Sequence, residues 1–135
     1  MSSERIREDI LTNAKIINTL NKRIKDTFPL RNSSPEAMAE WDKACKEFHE
    51  NFERLCFPGG AENFYRLKEG DPGAVEAALC FAECRPYFFR SGYMLSWILR
   101  KLKKAPLSPR QAERFNDVLA RREKWKKIKA SQSDQ

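Results

Sequence analysis

One segment constrains the fold more than any other, because residues 72–84 are apolar on almost every side of a helix. At about 100° per residue, its valine, leucine and several alanines share one face, while Phe81 and two cysteines occupy most of the remainder. Only Glu76 and Glu83 give it a polar edge. A helix without a polar half is usually buried from several sides. The segment therefore predicts a helical fold that is built around it.

The rest of the chain shows the same helical period and has sharp start signals. Apolar residues recur at steps of three or four positions, and Ser or Asp followed by Pro predicts helix starts at residues 34, 71 and 108. Gln111 lies three positions after Ser108 and completes a predicted capping box. The predicted helices cover residues 3–28, 35–57, 61–68, 72–84, 88–104 and 109–129.

The composition supports one helical domain. With 135 residues, of which 41% are hydrophobic, the chain can bury a conventional core. Valine and threonine, which favour strands, are scarce before residue 110. We expect an all-α fold of five or six helices that forms a single domain over residues 1–130, followed by a frayed polar tail over residues 131–135. Two arrangements remain open: a short armadillo/HEAT-like stack of antiparallel helix pairs, which the helix spacing favours, and an irregular helical bundle.

The charge is divided unequally along the chain. Residues 1–84 carry 12 Lys and Arg against 15 Asp and Glu, a net charge of −3, whereas residues 85–135 carry 14 against 4, a net charge of +10. A basic carboxyl-terminal third indicates either an acidic partner or docking against the acidic part of the same chain. In the second case, we expect the basic helix to lie on the acidic face that Glu40 and Glu47 form.

The predicted helix over residues 88–104 carries a face on which aromatic and basic residues are interleaved. This face consists of Arg90, Tyr93, Trp97, Arg100, Lys101 and Lys104. Most of its members are three or four positions apart, so they form one row along the helix. Flat aromatic rings between cations favour phosphate contacts combined with base stacking. The alternative, which is more common in small domains, is that Tyr93 and Trp97 pack under a neighbouring helix.

A second basic cluster lies near the carboxyl terminus. Its cations are Arg121, Arg122, Lys124, Lys126, Lys127 and Lys129. Trp125 and Ile128 lie among them and are predicted to face inward. Cations in the last turns of a helix offset the negative end of its dipole, so a solvated helix end is one interpretation. The other is an arm that binds phosphate groups or an acidic protein.

The cysteines and the single histidine form no strong metal or catalytic motif. Two pairs at i,i+4 spacing, Cys45 with His49 and Cys80 with Cys84, would supply Cys3His ligands to zinc if the pairs met. Thiols on apolar helix faces more often act as small hydrophobic groups. The sequence contains no nucleophile elbow, HExxH motif, P-loop or dinucleotide fingerprint. We therefore expect no cofactor, no metal site and no catalytic activity.

The pattern as a whole favours an interaction protein. We expect a non-enzymatic helical module whose basic, aromatic-containing carboxyl-terminal third binds an acidic protein surface. The alternative is a nucleic-acid-binding protein that uses the same residues, and a steep salt dependence of binding would distinguish it. The sequence shows neither an apolar leader nor a stretch of roughly 20 apolar residues that would span a bilayer, so we expect a cytoplasmic location.

Overall fold

The computed structural model describes residues 2–133, which fold into six α-helices joined by short turns. The helices are α1 (Ser3–Thr27), α2 (Pro35–Leu55), α3 (Gly60–Arg66), α4 (Pro72–Cys84), α5 (Ser91–Leu102) and α6 (Pro109–Ser133). Single turns of 3-10 helix follow α1 at Phe28–Leu30 and α3 at Leu67–Glu69. No β-strand occurs in the described part of the chain, so the prediction of an all-α fold is confirmed. Within the same residues, no helix combines the length and the hydrophobicity that a membrane span requires.

Helix α4 lies at the centre of the fold, as its apolar surface predicts. It contacts α1, α3, α5 and α6, and its buried residues include Val75, Leu79 and Phe81. Helix α1 packs against both α2 and α4 and buries Ile10 and Ile17 between them. In a linear stack each unit would meet only its neighbours along the chain. Because one central helix is shared by several others, the arrangement is a bundle around α4.

Side-chain caps determine where the helices start. The hydroxyls of Ser2 and Ser34 and the carboxylate of Asp71 accept hydrogen bonds from backbone amides three positions later, at 3.2, 3.1 and 3.0 Å. At α6, the backbone amide of Gln111 donates to the Ser108 hydroxyl at 3.1 Å. The Gln111 side chain in turn accepts from the Ser108 amide at 3.0 Å. The predicted capping box is therefore confirmed.

Helix α5 is shorter than the predicted span of residues 88–104. Arg90 has a φ of 68°, in the left-handed region, which the interior of a right-handed helix does not accommodate. Ser91 is the first helical residue, and its hydroxyl accepts a hydrogen bond from the backbone of the preceding turn at 3.1 Å. Lys104 lies beyond the other end of the helix. Two members of the predicted aromatic and basic row therefore lie outside α5, one at each end.

Helix α6 extends further than the predicted end at residue 129. It continues through Ser133, whereas residues 134 and 135 of the predicted frayed tail lie outside the described residues. Only the first half of α6 packs on the bundle, where Phe115 and Val118 are buried. From residue 120 to residue 132, every residue except Arg122 is exposed. The fold therefore carries a helical extension whose second half projects into solvent.

Candidate interaction surfaces

The predicted stacking row along α5 is only partly available to a partner. The Trp97 ring lies 4.5 Å, centroid to centroid, from the Phe64 ring of α3, and Lys101 Nζ lies 5.4 Å from the centroid of Trp97. Trp97 therefore packs within the bundle, as the structural alternative predicts. Tyr93 does not, because 82% of it is exposed. The other exposed members of the row are Arg90, Arg100 and Lys104.

The two predicted basic regions lie on different sides of α5. Leu99 of α5 lines a groove together with Val118 and Arg121 of α6. Trp97 instead contacts α3, and positions two apart on a helix point about 200° away from each other. The α5 row and the cluster at residues 121–129 are therefore separate surfaces, and each has to be considered as a binding site by itself.

Residues 120–133, the second half of α6, form a basic helical arm that we call the C-terminal arm. It carries six cations against one acid, Glu123, a net charge of +5. Apart from the half-buried Arg122, every residue of the arm whose side chain is described is exposed. Trp125 and Ile128 are 50% and 43% exposed, so the prediction that they face inward is wrong. The reason is that α6 packs mainly on α4, which has 13 residues and covers only the first half of the 25 residues of α6.

A small apolar groove of about 190 Å³ lies at the base of the C-terminal arm. Leu95, Leu99 and Val118 supply most of its apolar lining. The arginines that surround it are Arg85, Arg121 and Arg122. The Arg85 guanidinium lies 5.4 Å from the centroid of the Trp125 ring, a cation–π contact that joins the arm to the loop after α4. An apolar groove, a cationic border and an exposed tryptophan therefore lie next to one another.

An ion-pair network joins α6 to α4 and α1 beneath this surface. The Arg114 side chain is 14% exposed and donates hydrogen bonds to both carboxylate oxygens of Glu83, at 2.6 and 3.0 Å, and to Glu76 at 2.9 Å. Arg7 of α1 donates to the same Glu83 carboxylate at 3.1 Å. The two glutamates at the polar edge of α4 therefore face arginines from the two helices that cover it.

Hydrogen bonding outweighs burial in determining the charge state of this network. Burial by itself would raise the pKa of Glu76, but hydrogen bonds, the largest of them from Arg114, lower that pKa to about 2. The other donors to Glu76 are Ser3, Gln111 and the Cys80 thiol, at 2.7, 3.1 and 3.3 Å. The pKa of Glu83 is also lowered, because the effects of Arg114 and Arg7 exceed that of burial. Both carboxylates are therefore ionised at neutral pH.

Arg114 and Arg7 were not among the residues that sequence analysis singled out. A signal for them exists in Glu76 and Glu83, which lie seven positions apart and therefore on the same side of α4. Carboxylates on an otherwise buried helix need cations from the elements that cover it. The sequence does not identify those cations, because the chain contains 26 Lys and Arg and the pairing depends on which helices cover α4.

The acidic face of α2 is paired with α1 and not with the basic helix α5. Arg23 of α1 lies 2.6 Å from Glu47 and 3.6 Å from Glu40. Lys101 contacts the Trp97 ring of its own helix instead. The alternative in which the basic helix lies on the Glu40 and Glu47 face of α2 is therefore wrong, because Arg23 of α1 occupies that face. Among the described residues, the ion pairs that join the basic third to the acidic part of the chain are those of Arg114 with Glu76 and Glu83.

The four cysteines are free thiols, and within residues 2–133 no group of three or more His, Cys, Asp and Glu side chains is arranged to hold a metal ion. Cys80 is completely buried and donates to Glu76, and burial raises its pKa to about 12. The Cys84 thiol lies 3.8 Å from a backbone oxygen of α1. Cys45 and His49 belong to α2, where His49 is exposed. The two i,i+4 pairs therefore do not combine into a zinc site.

Comparison with protein-family models, with curated proteins and with solved structures yields no match to this chain. The C-terminal arm and the apolar groove at its base are the features from which we infer function.

Proposed function

We propose that the chain is a non-enzymatic helical interaction module that binds an acidic protein surface through the C-terminal arm. The observation that carries this proposal is the exposure of a basic helix that has two large apolar side chains among its cations. Residues 120–133 have a net charge of +5, and they present Trp125 and Ile128 to solvent on the half of α6 that the core does not cover.

An arm of this kind offers both the apolar anchors and the charge that a protein interface uses. Trp125 and Ile128 lie three positions apart, so they share one side of the helix and can enter an apolar groove of a partner. Tryptophan and arginine are among the residue types that most often dominate binding energy, and Arg121 and Arg122 lie close to Trp125 along the helix. The surrounding cations accelerate association with an acidic surface and disfavour basic partners.

The α5 row supports nucleic-acid binding less well than its sequence pattern predicts. Base stacking along α5 would use the flat faces of Tyr93 and Trp97, but Trp97 is already engaged by Phe64 and Lys101. On α5 this leaves Tyr93 as the one aromatic ring of the predicted row that is largely free for stacking. Nucleic-acid binding is therefore the alternative that a test has to distinguish.

We further propose that the protein works in the cytoplasm. Its four cysteines are free thiols. Thiols remain reduced in compartments that contain glutathione and thioredoxin.

Affinity capture from an extract of the native host, with two matched variants, tests the proposal. The arm variant carries Lys124→Glu, Lys126→Glu and Lys127→Glu. The control variant carries Arg90→Glu, Arg100→Glu and Lys104→Glu, and all six positions are exposed. After nuclease treatment, we expect the wild type and the control variant to retain the same acidic protein and the arm variant to lose it.

Three other outcomes would contradict the proposal. Retention that disappears on nuclease treatment, together with a steep decrease of affinity with salt, would support nucleic-acid binding. Loss of the partner in the control variant alone would transfer the site to the α5 row. If both variants still capture the same acidic protein, neither basic surface is the binding site.

A further inference from the structure

We propose that a groove between α1, α4 and α6 binds the phosphate group of a small organic phosphomonoester. The groove has a volume of about 540 Å³, which lies within the range of roughly 300–1,000 Å³ that is typical of small-molecule sites. Its lining residues, which define the arginine groove, are Ser3, Arg7, Glu83, Arg110, Arg114 and Arg121. This proposal does not rest on the acidic partner proposed for the C-terminal arm, although Arg121 belongs to both surfaces.

The balance of charge explains why the arginine groove favours an anion. Arg7 and Arg114 are offset by the two glutamates of α4, so the network at the base of the groove is neutral. Arg110 and Arg121 then remain at the rim as two further positive charges. A phosphomonoester carries a charge of about −1.5 to −2 at neutral pH. Its charge therefore matches the excess that the two rim arginines provide.

The guanidinium groups also retain hydrogen-bond donors for a ligand. Arg114 has committed four hydrogen bonds to the carboxylates and the thiol of α4, so its role is to hold the base of the groove together. Arg7 makes only one such bond, to Glu83, and its side chain is 34% exposed. The guanidinium groups of Arg110 and Arg121 donate no hydrogen bond within residues 2–133, and the exposed Arg110 has only a 3.7 Å ion pair with Glu113. Their planar forks can therefore bind phosphate oxygens in pairs.

The helix geometry places the basic groups along one side of the groove. Arg110, Arg114 and Arg121 are separated by four and seven positions, so they lie on the same side of α6. Ser3 belongs to the first turn of α1, where the positive end of the helix dipole adds to the potential of the arginines. Arg7 lies one turn further along α1. The groove is thus lined by positive groups from two helices.

The nearby acids reduce this potential only in part. Glu113 lies 3.7 Å from Arg110, but both side chains are more than two-thirds exposed, so water screens the pair. Asp117 lies between Arg114 and Arg121 along α6, where it is exposed and forms no ion pair within the described residues. Neither acid lines the groove. The positive excess at the rim therefore remains accessible to a ligand.

This proposal is tested by titrating the full chain with phenyl phosphate. NMR monitors the titration through the side-chain Nε–H signals of the arginines. Phenyl sulfate has the same ring but a single negative charge, and it serves as the matched control ligand. We expect saturable shifts of the Arg7, Arg110 and Arg121 signals with phenyl phosphate. Phenyl sulfate should bind about tenfold more weakly, because it lacks the second charge that strengthens hydrogen bonds from arginine.

Two variants with equal loss of charge then locate the site. One carries Arg110→Gln and Arg121→Gln, and the other carries Lys124→Gln and Lys126→Gln. All four residues are exposed, so both variants should keep the helical circular dichroism spectrum of the wild type. We expect the first variant to lose about tenfold or more in affinity for phenyl phosphate, and the second to remain within about twofold of the wild type.

The proposal is overturned by any of three results. These are the absence of saturable binding by the wild type, equal affinity for the two anions, and equal loss of affinity in the two variants, which would indicate non-specific charge attraction. The capture experiment with the triple arm variant leaves Arg7 and Arg110 in place. Failure of the phosphomonoester site and failure of the acidic-partner proposal are therefore distinguishable.

Discussion

Replacement of Arg114 by methionine should destabilise the fold by about 3 kcal/mol near pH 7. Interactions with Arg114 and its neighbours lower the pKa of Glu76 from 4.5 to about 2. Since one pKa unit corresponds to about 1.4 kcal/mol, these interactions together are worth roughly 3 kcal/mol in the folded state. Ser3, Gln111 and Cys80 supply a part of that value, but Arg114 supplies the largest part and also binds Glu83. The Glu76 and Glu83 side chains are 24% and 17% exposed, so solvent compensates for the missing cation only in part. Removal of one partner from a buried ion pair typically costs about 3–5 kcal/mol, so this value lies at the lower end.

The pH dependence of this variant provides a second test with a definite sign. The pKa of Glu76 is lower in the folded chain than its ordinary value of 4.5, so its contribution to stability is complete above about pH 4.5. That contribution is lost as the pH falls towards about 2, because the folded carboxylate is then protonated as well. In acid the wild type therefore loses the stabilisation that Arg114 provides, whereas the Arg114→Met variant lacks that stabilisation at every pH. The difference between the two should shrink from about pH 5 to about pH 2.

Urea unfolding followed by circular dichroism, at several pH values between about 7 and 3, measures both effects. Arg110→Gln is the matched control, because Arg110 lies one turn earlier in α6 and its side chain is 79% exposed. The control should change the free energy of unfolding by less than about 0.5 kcal/mol. An Arg114→Met effect below about 1 kcal/mol near pH 7, or an effect that stays constant into acid, would refute the reasoning.

Trp97→Ala should lower the free energy of unfolding by about 2 kcal/mol, because the Trp97 ring packs against α3. Tyr93→Ala should lower it by less than about 0.5 kcal/mol, because the Tyr93 ring is exposed. Urea unfolding of the two variants tests this difference, and equal costs would contradict it. Cys80 is buried with a pKa of about 12, so a thiol reagent should modify it only as fast as the chain unfolds. Mass spectrometry after pulsed labelling checks this, and rapid modification of Cys80 in the native chain is the contrary result. Arg23→Gln should lower the free energy of unfolding by about 0.5–1 kcal/mol, because it removes the ion pairs of Arg23 with α2. Lys104→Glu should leave stability within about 0.5 kcal/mol of the wild type, because Lys104 is exposed. Thermal unfolding compares the stabilities of the two variants, and a larger loss in Lys104→Glu would support docking of the basic helix on α2.

The features of the fold that depend on local sequence can be predicted well. The helix starts at Ser34, Asp71 and Ser108 follow from caps that involve residues only three positions apart. The central position of α4 follows from the lack of a polar half, since such a helix has to be covered on several sides. Both are properties that a short stretch of sequence contains by itself.

The features that depend on which surfaces meet cannot be predicted in the same way. Trp125 and Phe115 both fit the apolar side of α6, but α4 is long enough to cover only Phe115. Arg90 interrupts the start of α5 through a left-handed backbone conformation, which arginine rarely adopts and no sequence pattern announces. Trp97 and Tyr93 occupy the same predicted row, and the position of α3 alone determines that Trp97 is covered.

The candidate sites show the same division between local and long-range information. The cations at residues 121–129 are evident from the sequence. The structure adds that they lie on the second half of α6, where the residues are exposed. The arginine groove, by contrast, brings together α6 and Arg7, a residue more than 100 positions away from Arg110 in the chain. Such a site is not visible as a motif, because its members are neighbours only after α1 and α6 have packed on α4.

The most direct test of the acidic-partner proposal is site-specific photo-crosslinking in the native host. A photoreactive phenylalanine derivative at position 125 probes the C-terminal arm, and the same residue at position 93 probes the exposed end of the α5 row. We predict that position 125 crosslinks to one acidic protein and that position 93 does not. Crosslinks from position 93 alone, or crosslinks from position 125 to nucleic acid, would contradict the proposal that the arm is the binding site for an acidic protein.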